Sequence, residues 1–362
     1  MSQHQSDICI ITTRNIFDAP CLEKYRSLLD APFDIVYWDR CGKEEECGAQ
    51  QYFRYNGPME ASAGKAQKLM AYIGFIRFVG RILKEHTYKK LIVFPTQAAW
   101  LIHRRLCADY KGRYIMDIRD YAGENKRLLY TLTKDVVLNA GVCSITSPAY
   151  RKFLPEREYV ISHNLQSIDA ALIQQYRART HAAEEPIRLS FIGSVRFIEQ
   201  QKKLLLLFKN DSRFHLSFIG RGSEQLKDYC ERENILNVTL IGQFERTQLA
   251  DFYMTSDMAI NVYGNHDPYL DYALSNKLYS AAIMGMPILV SPETHMSEIT
   301  EKYGIGMAVN IDDPDTPDSV YQYYRHLSAE QLQKGCDAFL ECVYRDEEAY
   351  RKAICKYIKD AE

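Results

Sequence analysis

Ser275-Asn-Lys-Leu-Tyr-Ser-Ala-Ala-Ile-Met-Gly-Met-Pro-Ile-Leu-Val290 reads as a helix that feeds a strand. Leu278, Ala281, Ala282 and the run from Met284 to Met286 give an apolar surface at helical spacing; Gly285 suits the left-handed C-terminal position, and Pro287 stops the helix. Ile288, Leu289 and Val290 then run as a buried strand. The polar opening Ser275-Asn276-Lys277 falls where a helix has unpaired backbone N–H groups and the positive end of its dipole, a place that favours an anion such as a phosphate. A plainer account of the same residues is that Ser275 or Asn276 merely caps an amphipathic helix.

The surrounding pattern is α/β. Upstream of this stretch, residues 187–192 form a strand closed by Gly193, and a lysine-bearing helix follows. Residues 215–219 form a strand closed by Gly220-Arg221-Gly222, residues 237–241 one closed by Gly242, and residues 259–262 another. Three strand-then-glycine junctions suggest backbones brought close to a ligand. The first half has its own alternation, with strands at 7–13, 35–38, 91–95, 113–118 and 141–147. Its helices fall at 21–29, within 65–90, at 98–110 and at 124–138, and residues 40–60 read as a loop beginning at Cys41-Gly42. Polar residues 174–186 read as a connection. The expected domains are 1–165 and 166–362, with residues 329–359 as a helical tail.

The chain has 362 residues, 46% apolar and 25% charged, enough for two cores of ordinary size. No run of about 18 to 20 uninterrupted apolar residues occurs and residues 1–7 are polar, so a cytoplasmic location is expected. The 10 cysteines form no Cys-x-x-Cys pair and no zinc-type grouping with histidine, which reads as reduced thiols. Residues 1–163 hold 24 Lys+Arg against 18 Asp+Glu, and the remainder 21 against 29, so the halves carry +6 and −8. The first half is the better suited to an anionic surface. Within it, Leu69, Tyr72, Ile73, Phe75, Ile76, Phe78, Val79, Ile82 and Leu83 make a broad apolar face among Lys65, Lys68, Arg77, Arg81 and Lys84. Such a helix can lie on an anionic bilayer as a peripheral membrane contact, or pack on the sheet with its cations in water, as a doubly wound domain requires.

The strand at 113–118 runs into Asp117-Ile118-Arg119-Asp120, and in open α/β sheets ligands sit outside the carboxyl ends of strands. Asp120 is thus placed to meet a ligand, or to form an ion pair and cap the next helix. Asp313-Pro314-Asp315 reads as a surface turn.

In order and spacing, Phe191-Ile192-Gly193 with Lys202, Phe218-Ile219-Gly220-Arg221-Gly222, 238–242 with Phe244, 249–253 with Ser256-Asp257, and 276–287 resemble the donor half of GT-B glycosyltransferases of the retaining, family 4 type. The family's donor helix runs roughly Lys-Leu-Tyr-Glu, small residues, Gly, any residue, Pro and a hydrophobic strand. Here it is Lys277, Leu278, Tyr279, Ser280, then Gly285, Met286 and Pro287. Coverage is good over about 187–309 and thin before residue 110.

The resemblance implies two Rossmann-like α/β domains facing each other across a cleft, the acceptor-side domain first and the nucleotide-sugar domain second. Residues 160–164 resemble the segment with which the family leaves its first domain, and by resemblance the tail can cross back to that domain. The implied donor is a UDP- or GDP-sugar and the implied acceptor a glycan or lipid-linked sugar, with surface polysaccharide or glycoconjugate as product; retention follows from the family alone. No metal ion, cofactor or nucleic acid is called for. Carried over residue by residue, the donor-binding set is Gly193, Gly220, Gly222, Phe244, Asn276, Lys277, Leu278 and Ser280, and the family's acceptor-facing acid falls at Asp120.

Departures mark the resemblance. Ser194 stands where the family has arginine, so Arg196 is the substitute, with Lys202 as the matching lysine and Lys203 its competitor. The family's two glutamates would fall at Tyr272 and Ser280, and Asp271 can replace the first. The glycine-rich turn after the first strand is Thr13-Arg14-Asn15 here. A non-hydrolysing sugar-nucleotide epimerase of the same fold and a degenerate, non-catalytic scaffold subunit are the rival readings.

Overall fold

The computed structural model of the chain describes residues 6–42, 45–57, 64–165, 168–178 and 186–359. They fall into two compact units, Met1–His163 with Arg345–Glu362, and Asn164–Tyr344.

The first unit runs β1 (Ile8–Thr12), α1 (Cys21–Leu28), β2 (Phe33–Asp39), β3 (Gln51–Asn56), α2 (Lys65–Glu85), β4 (Lys90–Phe94), α3 (Thr96–Leu101), α4 (His103–Ala108), β5 (Tyr114–Ile118), α5 (Arg127–Leu138), β6 (Val142–Ile145) and β7 (Val160–Ile161). Its seven strands pair in parallel in the order β3-β2-β1-β4-β5-β6-β7. Every residue of β1, β2 and β5 is buried, which is why these strands are apolar runs rather than alternations. Ile10, Ile35, Ile92 and Phe94 share their core with Tyr350 and Ile354 from far along the chain.

The second unit runs α6 (Ala170–Arg177), β8 (Ile187–Ile192), α7 (Ile198–Leu207), β9 (Phe214–Ile219), α8 (Lys227–Arg232), β10 (Val238–Ile241), α9 (Leu249–Met254), β11 (Met258–Asn261), α10 (Pro268–Asp271), α11 (Asn276–Met284), β12 (Ile288–Val290), α12 (His295–Tyr303), β13 (Gly306–Ala308), α13 (Thr316–Arg325) and α14 (Ala329–Lys359). Its six parallel strands lie in the order β10-β9-β8-β11-β12-β13. The period-2 alternation of buried strands divides the core. Ile288 and Val290 join one cluster with Leu278, Ala282, Leu332 and Phe339, while Leu289 joins the opposite one with Phe191, Leu204, Phe218 and Val320. In α11 every residue but Asn276 is buried. Ser275 Oγ accepts from the N–H of Lys277 at 3.3 Å, and Gly285 ends the helix with φ 73°.

Three expectations fail. Residues 40–60 are not one loop, because Gln51–Asn56 pairs along β2 as an edge strand. Phe53 lies on His86 while Arg54 reaches Asp39, so apolar and polar residues mix on a half-exposed edge and no periodicity is visible. The helix expected at 98–110 breaks at Ile102 (φ −111°, ψ 20°), a buried residue that keeps the apolar spacing intact while leaving the helical region. The connection expected at 174–186 begins inside α6; residues 179–185 of it lie outside the described residues. β7 and β13 were not anticipated, each being only two or three residues long.

Candidate functional site

In the second unit the strand order reverses between β8 and β11, and such a switch point is where a doubly wound sheet leaves room for a ligand beyond its carboxyl ends. The residues that converge there are Phe191 and Gly193 from β8 and its exit, Tyr263 after β11, and Lys277 from the start of α11. Lys277 is only 6% exposed. Its Nζ donates to the Tyr263 hydroxyl at 2.7 Å and lies 4.1 Å from the centre of the Phe191 ring and 5.0 Å from that of Tyr263. Among the described residues no carboxylate pairs with it. An ammonium is costly to bury without a counter-charge, and cation–π contacts of about 0.5–2 kcal/mol each offset only part of that cost. The cradle is fixed: Tyr263 packs edge-on to Phe191 and Phe197 at 5.4 Å, and its backbone N–H donates to Ser291 Oγ at 3.1 Å.

The glycines have two different reasons. Gly193 takes φ 122°, a conformation that side chains rarely adopt, and a Cβ there would touch Lys277 Nζ at 3.7 Å. At Gly220 (φ 137°) a Cβ would come 2.1 Å from the Gly193 carbonyl oxygen, and at Gly222 one would come 2.4 Å from that of Val195. These two are required by backbone against backbone, as Gly193 N to Ile219 O (2.8 Å) and Val195 N to Arg221 O (2.9 Å) lace the exits of β8 and β9 together.

The other donor-side residues are dispersed. Asn276 is exposed at the first turn of α11, and Leu278 is fully buried in the core below it. Ser280 is also fully buried and hydrogen-bonds Tyr253, whose own hydroxyl is pushed up to about 12 by burial. Arg196 is exposed on the exit of β8, just before Phe197, which enters α7 at φ 54°. Lys202, one turn into α7, pairs with Glu199 at 2.7 Å and lies over Tyr229; Lys203 pairs with Asp312 instead. Phe244 packs edge-on against Phe252. Asp271 closes α10 with one carboxylate oxygen buried and unbonded, and burial raises its pKa.

In the first unit Asp120 follows β5 and accepts from Arg14 at 2.9 Å, both groups partly exposed. Asp117 is its opposite: fully buried, bonded to Ser144 and Arg119 at 3.0 Å each. Arg119 is therefore a core ion-pair residue: burial, the largest effect, lowers its pKa, and Asp117 together with Cys21 and Tyr25 brings it above the usual value. The Asp-Ile-Arg-Asp string thus splits into a structural half and an accessible half. Among the described residues one His/Cys/Asp/Glu group is tight enough to consider for a metal, Asp39, Cys41 and Glu45. Asp39, however, already takes Arg54, Asn15 and the N–H groups of Cys41 and Gly42, so its charge and lone pairs are engaged.

Phe191 and Tyr263 were missed by reading the sequence, since aromatic residues at the ends of buried strands look like core; the available signal was their position at strand exits flanking Gly193.

No family model matches this chain, and no curated protein sequence does. Solved structures do match. A sucrose-phosphate synthase from Thermosynechococcus elongatus superposes with a TM-score of 0.70 at 12% identity, over 98% of this chain and 99% of that one. HepE of Anabaena in complex with UDP and glucose gives 0.65 at 9% identity, over 97% and 100%, and the lipopolysaccharide outer core galactosyltransferase WaaB gives 0.63 at 13%, over 98% and 99%. The fold is that of the GT-B glycosyltransferases. At such identities it is the fold that is shared, and the chemistry has to be argued from the residues above.

Proposed function

We propose that this protein is a glycosyltransferase that moves a sugar from a UDP- or GDP-sugar to a glycan or lipid-linked acceptor in surface polysaccharide or glycoconjugate synthesis. The observation that carries the reading is Lys277, an ammonium held in an aromatic cradle at the switch point with no carboxylate partner among the described residues, against the backbone of Gly193. A diphosphate is the counter-charge such a site lacks. HepE, of the same fold, has been solved with UDP and with UDP-glucose.

In the transfer, the bond from the anomeric carbon to the diphosphate oxygen breaks, the acceptor oxygen bonds to that carbon, and the acceptor's hydroxyl proton leaves. Charge accumulates on the diphosphate. Lys277 and the α11 N-terminus at Asn276 stabilise it there, and Arg196 and Lys202 are the further cations on the β8 exit and α7. Lys202 exchanges Glu199 for the phosphate in this scheme. Asp271 takes a donor hydroxyl with its unbonded oxygen, and Asp120 orients the acceptor hydroxyl or accepts its proton. The reaction is read as retaining and metal-independent, the cations standing where other enzymes use an ion.

Among the described residues no helix is long and apolar enough to cross a membrane. The proposed location is the cytoplasm, with α2 resting on the inner face of the plasma membrane. Leu69 and Met70 are 59% and 65% exposed on α2, and Arg77 and Arg81 lie on the same solvent side.

The test is purified protein against UDP-, GDP- and CMP-sugars, reading nucleotide release and binding. Release of one nucleotide, dependent on acceptor, is expected; Asp120→Asn should cut turnover about 10²- to 10⁴-fold while nucleotide affinity stays. A second reading rests on Ser280, which is sealed in the core and carries no carboxylate: a scaffold that binds nucleotide without turning it over. Binding without release from any donor would select it.

A further inference from the structure

The exits of β1 and β2, which are neighbours in the first sheet, are tied together by one side chain. Asn15 Nδ2 donates to Asp39 Oδ1 at 2.9 Å and to Glu45 Oε1 at 2.8 Å, and its Oδ1 accepts from the backbone N–H of Arg40 at 3.1 Å. Arg14 and Arg40 are thereby carried on adjoining loops. Their settings differ from that of Arg54, which is spent on Asp39. Arg40 has no carboxylate partner among the described residues; its guanidinium stacks 5.0 Å from the centre of the Trp38 ring. That ring is immobilised by Tyr55, Tyr72 and Phe75 at 5.2–5.5 Å and by an Nε1–H bond to Gly57 O at 2.6 Å. Stacking occupies the face of a guanidinium and leaves its edge N–H donors for an acceptor. Arg14 spends one N–H on Asp120 and has further donors over. The two charges also feel each other: burial lowers the Arg40 pKa first, Tyr72 opposes that, the charge of Arg14 lowers it further, and the charge of Asp18, which forms no ion pair with Arg40, raises it.

We propose that Arg14 and Arg40 form an anion site at the carboxyl edge of the first sheet, and that the acceptor carries an anionic group, a carboxylate or a phosphate monoester, close to the hydroxyl that receives the sugar. The second clause rests on the transferase reading. Asp120 and the anion site share Arg14, so the group that takes the acceptor hydroxyl and the group that reads its charge are one guanidinium apart. An anionic acceptor offers its oxygens to the N–H donors that Arg14 and Arg40 have left over, where bidentate guanidinium contacts are strongest.

The experiment titrates the full chain with glucose, glucuronate, glucose 6-phosphate and inorganic phosphate, and separately with UDP and GDP. Saturable binding of glucuronate or glucose 6-phosphate, none of glucose, and a loss of about tenfold in affinity in each of Arg14→Gln and Arg40→Gln are expected. Nucleotide affinity should be unchanged in both variants. Arg40→Lys keeps the charge and loses the fork and the stacked plane, so it should recover only part of the affinity. A thermal melt of each variant excludes misfolding as the cause. Which of the two sugar anions binds names the carboxylate or the phosphate. Absence of saturable binding by all the anions, or equal binding in the double variant, overturns the site. Inorganic phosphate binding as tightly as either sugar anion overturns the acceptor assignment. Arginine-dependent anion binding with no binding of any nucleotide would sink the transferase reading and leave the site standing. Transfer with an anion affinity indifferent to both arginines would do the reverse.

Discussion

Lys277 is the residue on which the donor reading turns, and its energetics set the size of the expected effect. With its ammonium already held on Tyr263, an incoming phosphate meets a preorganised charge, so Lys277→Ala should weaken nucleotide binding by about 1–3 kcal/mol in titration calorimetry. Unchanged affinity in both Lys277→Ala and Lys202→Ala would remove the phosphates from this end of α11. Lys277 could be read from the sequence because the residues around it carry a helix start and a helix stop. Its cradle could not, because nothing in a linear string distinguishes an aromatic ring that holds a cation from one that fills a core. A second residue-scale prediction concerns pH. His163 is buried, with Nε2 3.1 Å from Asp346; burial lowers its pKa, and the Asp346 bond and charge oppose that only in part. The folded chain therefore binds this proton more weakly than the unfolded chain. The His163 contribution to stability is whole above the ordinary histidine value and is lost as pH falls through it. Melting temperature should drop between about pH 7.5 and 5.5, and His163→Gln should flatten that drop. An identical pH slope in the variant would place the cause elsewhere.

Elements were legible in proportion to how one-sided their surroundings are. The buried strands of both sheets stand close to where their apolar runs put them, and α14 spans Ala329–Lys359, the bounds its periodicity suggests. β3 and the break between α3 and α4 escaped because one is half-exposed and the other keeps its apolar spacing through Ile102. The glycine junctions show how a correct element can have an unexpected cause: Gly220 and Gly222 are small because the β8 and β9 exits touch, whether or not a ligand is near. α2 is the element with the most to test. Phe75, Val79, Ile82 and Leu83 bury one side of it, which satisfies the sheet, yet Leu69, Met70 and Ile76 remain exposed beside Arg77 and Arg81. The Gly80 position also brings Arg105 of α4 alongside, 3.7 Å from where a Cβ would stand. Apolar side chains amid cations suit an anionic bilayer, at about 1 kcal/mol per basic residue near the surface. Co-sedimentation with vesicles should rise with anionic lipid and fall in Arg77→Glu/Arg81→Glu. Indifference to both would leave α2 as a packing helix only.

At the scale of the molecule, α14 belongs to two cores. Leu332, Phe339 and Val343 pack in the second unit, while Tyr350 and Ile354 are fully buried in the first, and Glu347 is bonded to Lys24. Losing two such side chains costs about 2–5 kcal/mol each, against a typical domain stability of about 5–15 kcal/mol. Ending the chain after Tyr344 should therefore melt the first unit, seen as loss of part of the circular dichroism signal and rapid proteolysis within residues 1–163, while the second unit survives. A truncated chain that melts as before would mean those contacts contribute little. The same arrangement bears on how the protein is made. Synthesis proceeds from the N-terminus, and domains ordinarily mature in that order. Here the core of the first unit lacks Tyr350 and Ile354 until residues 345–359 are made, after the whole of the second unit. The half of the chain translated first is the half completed last.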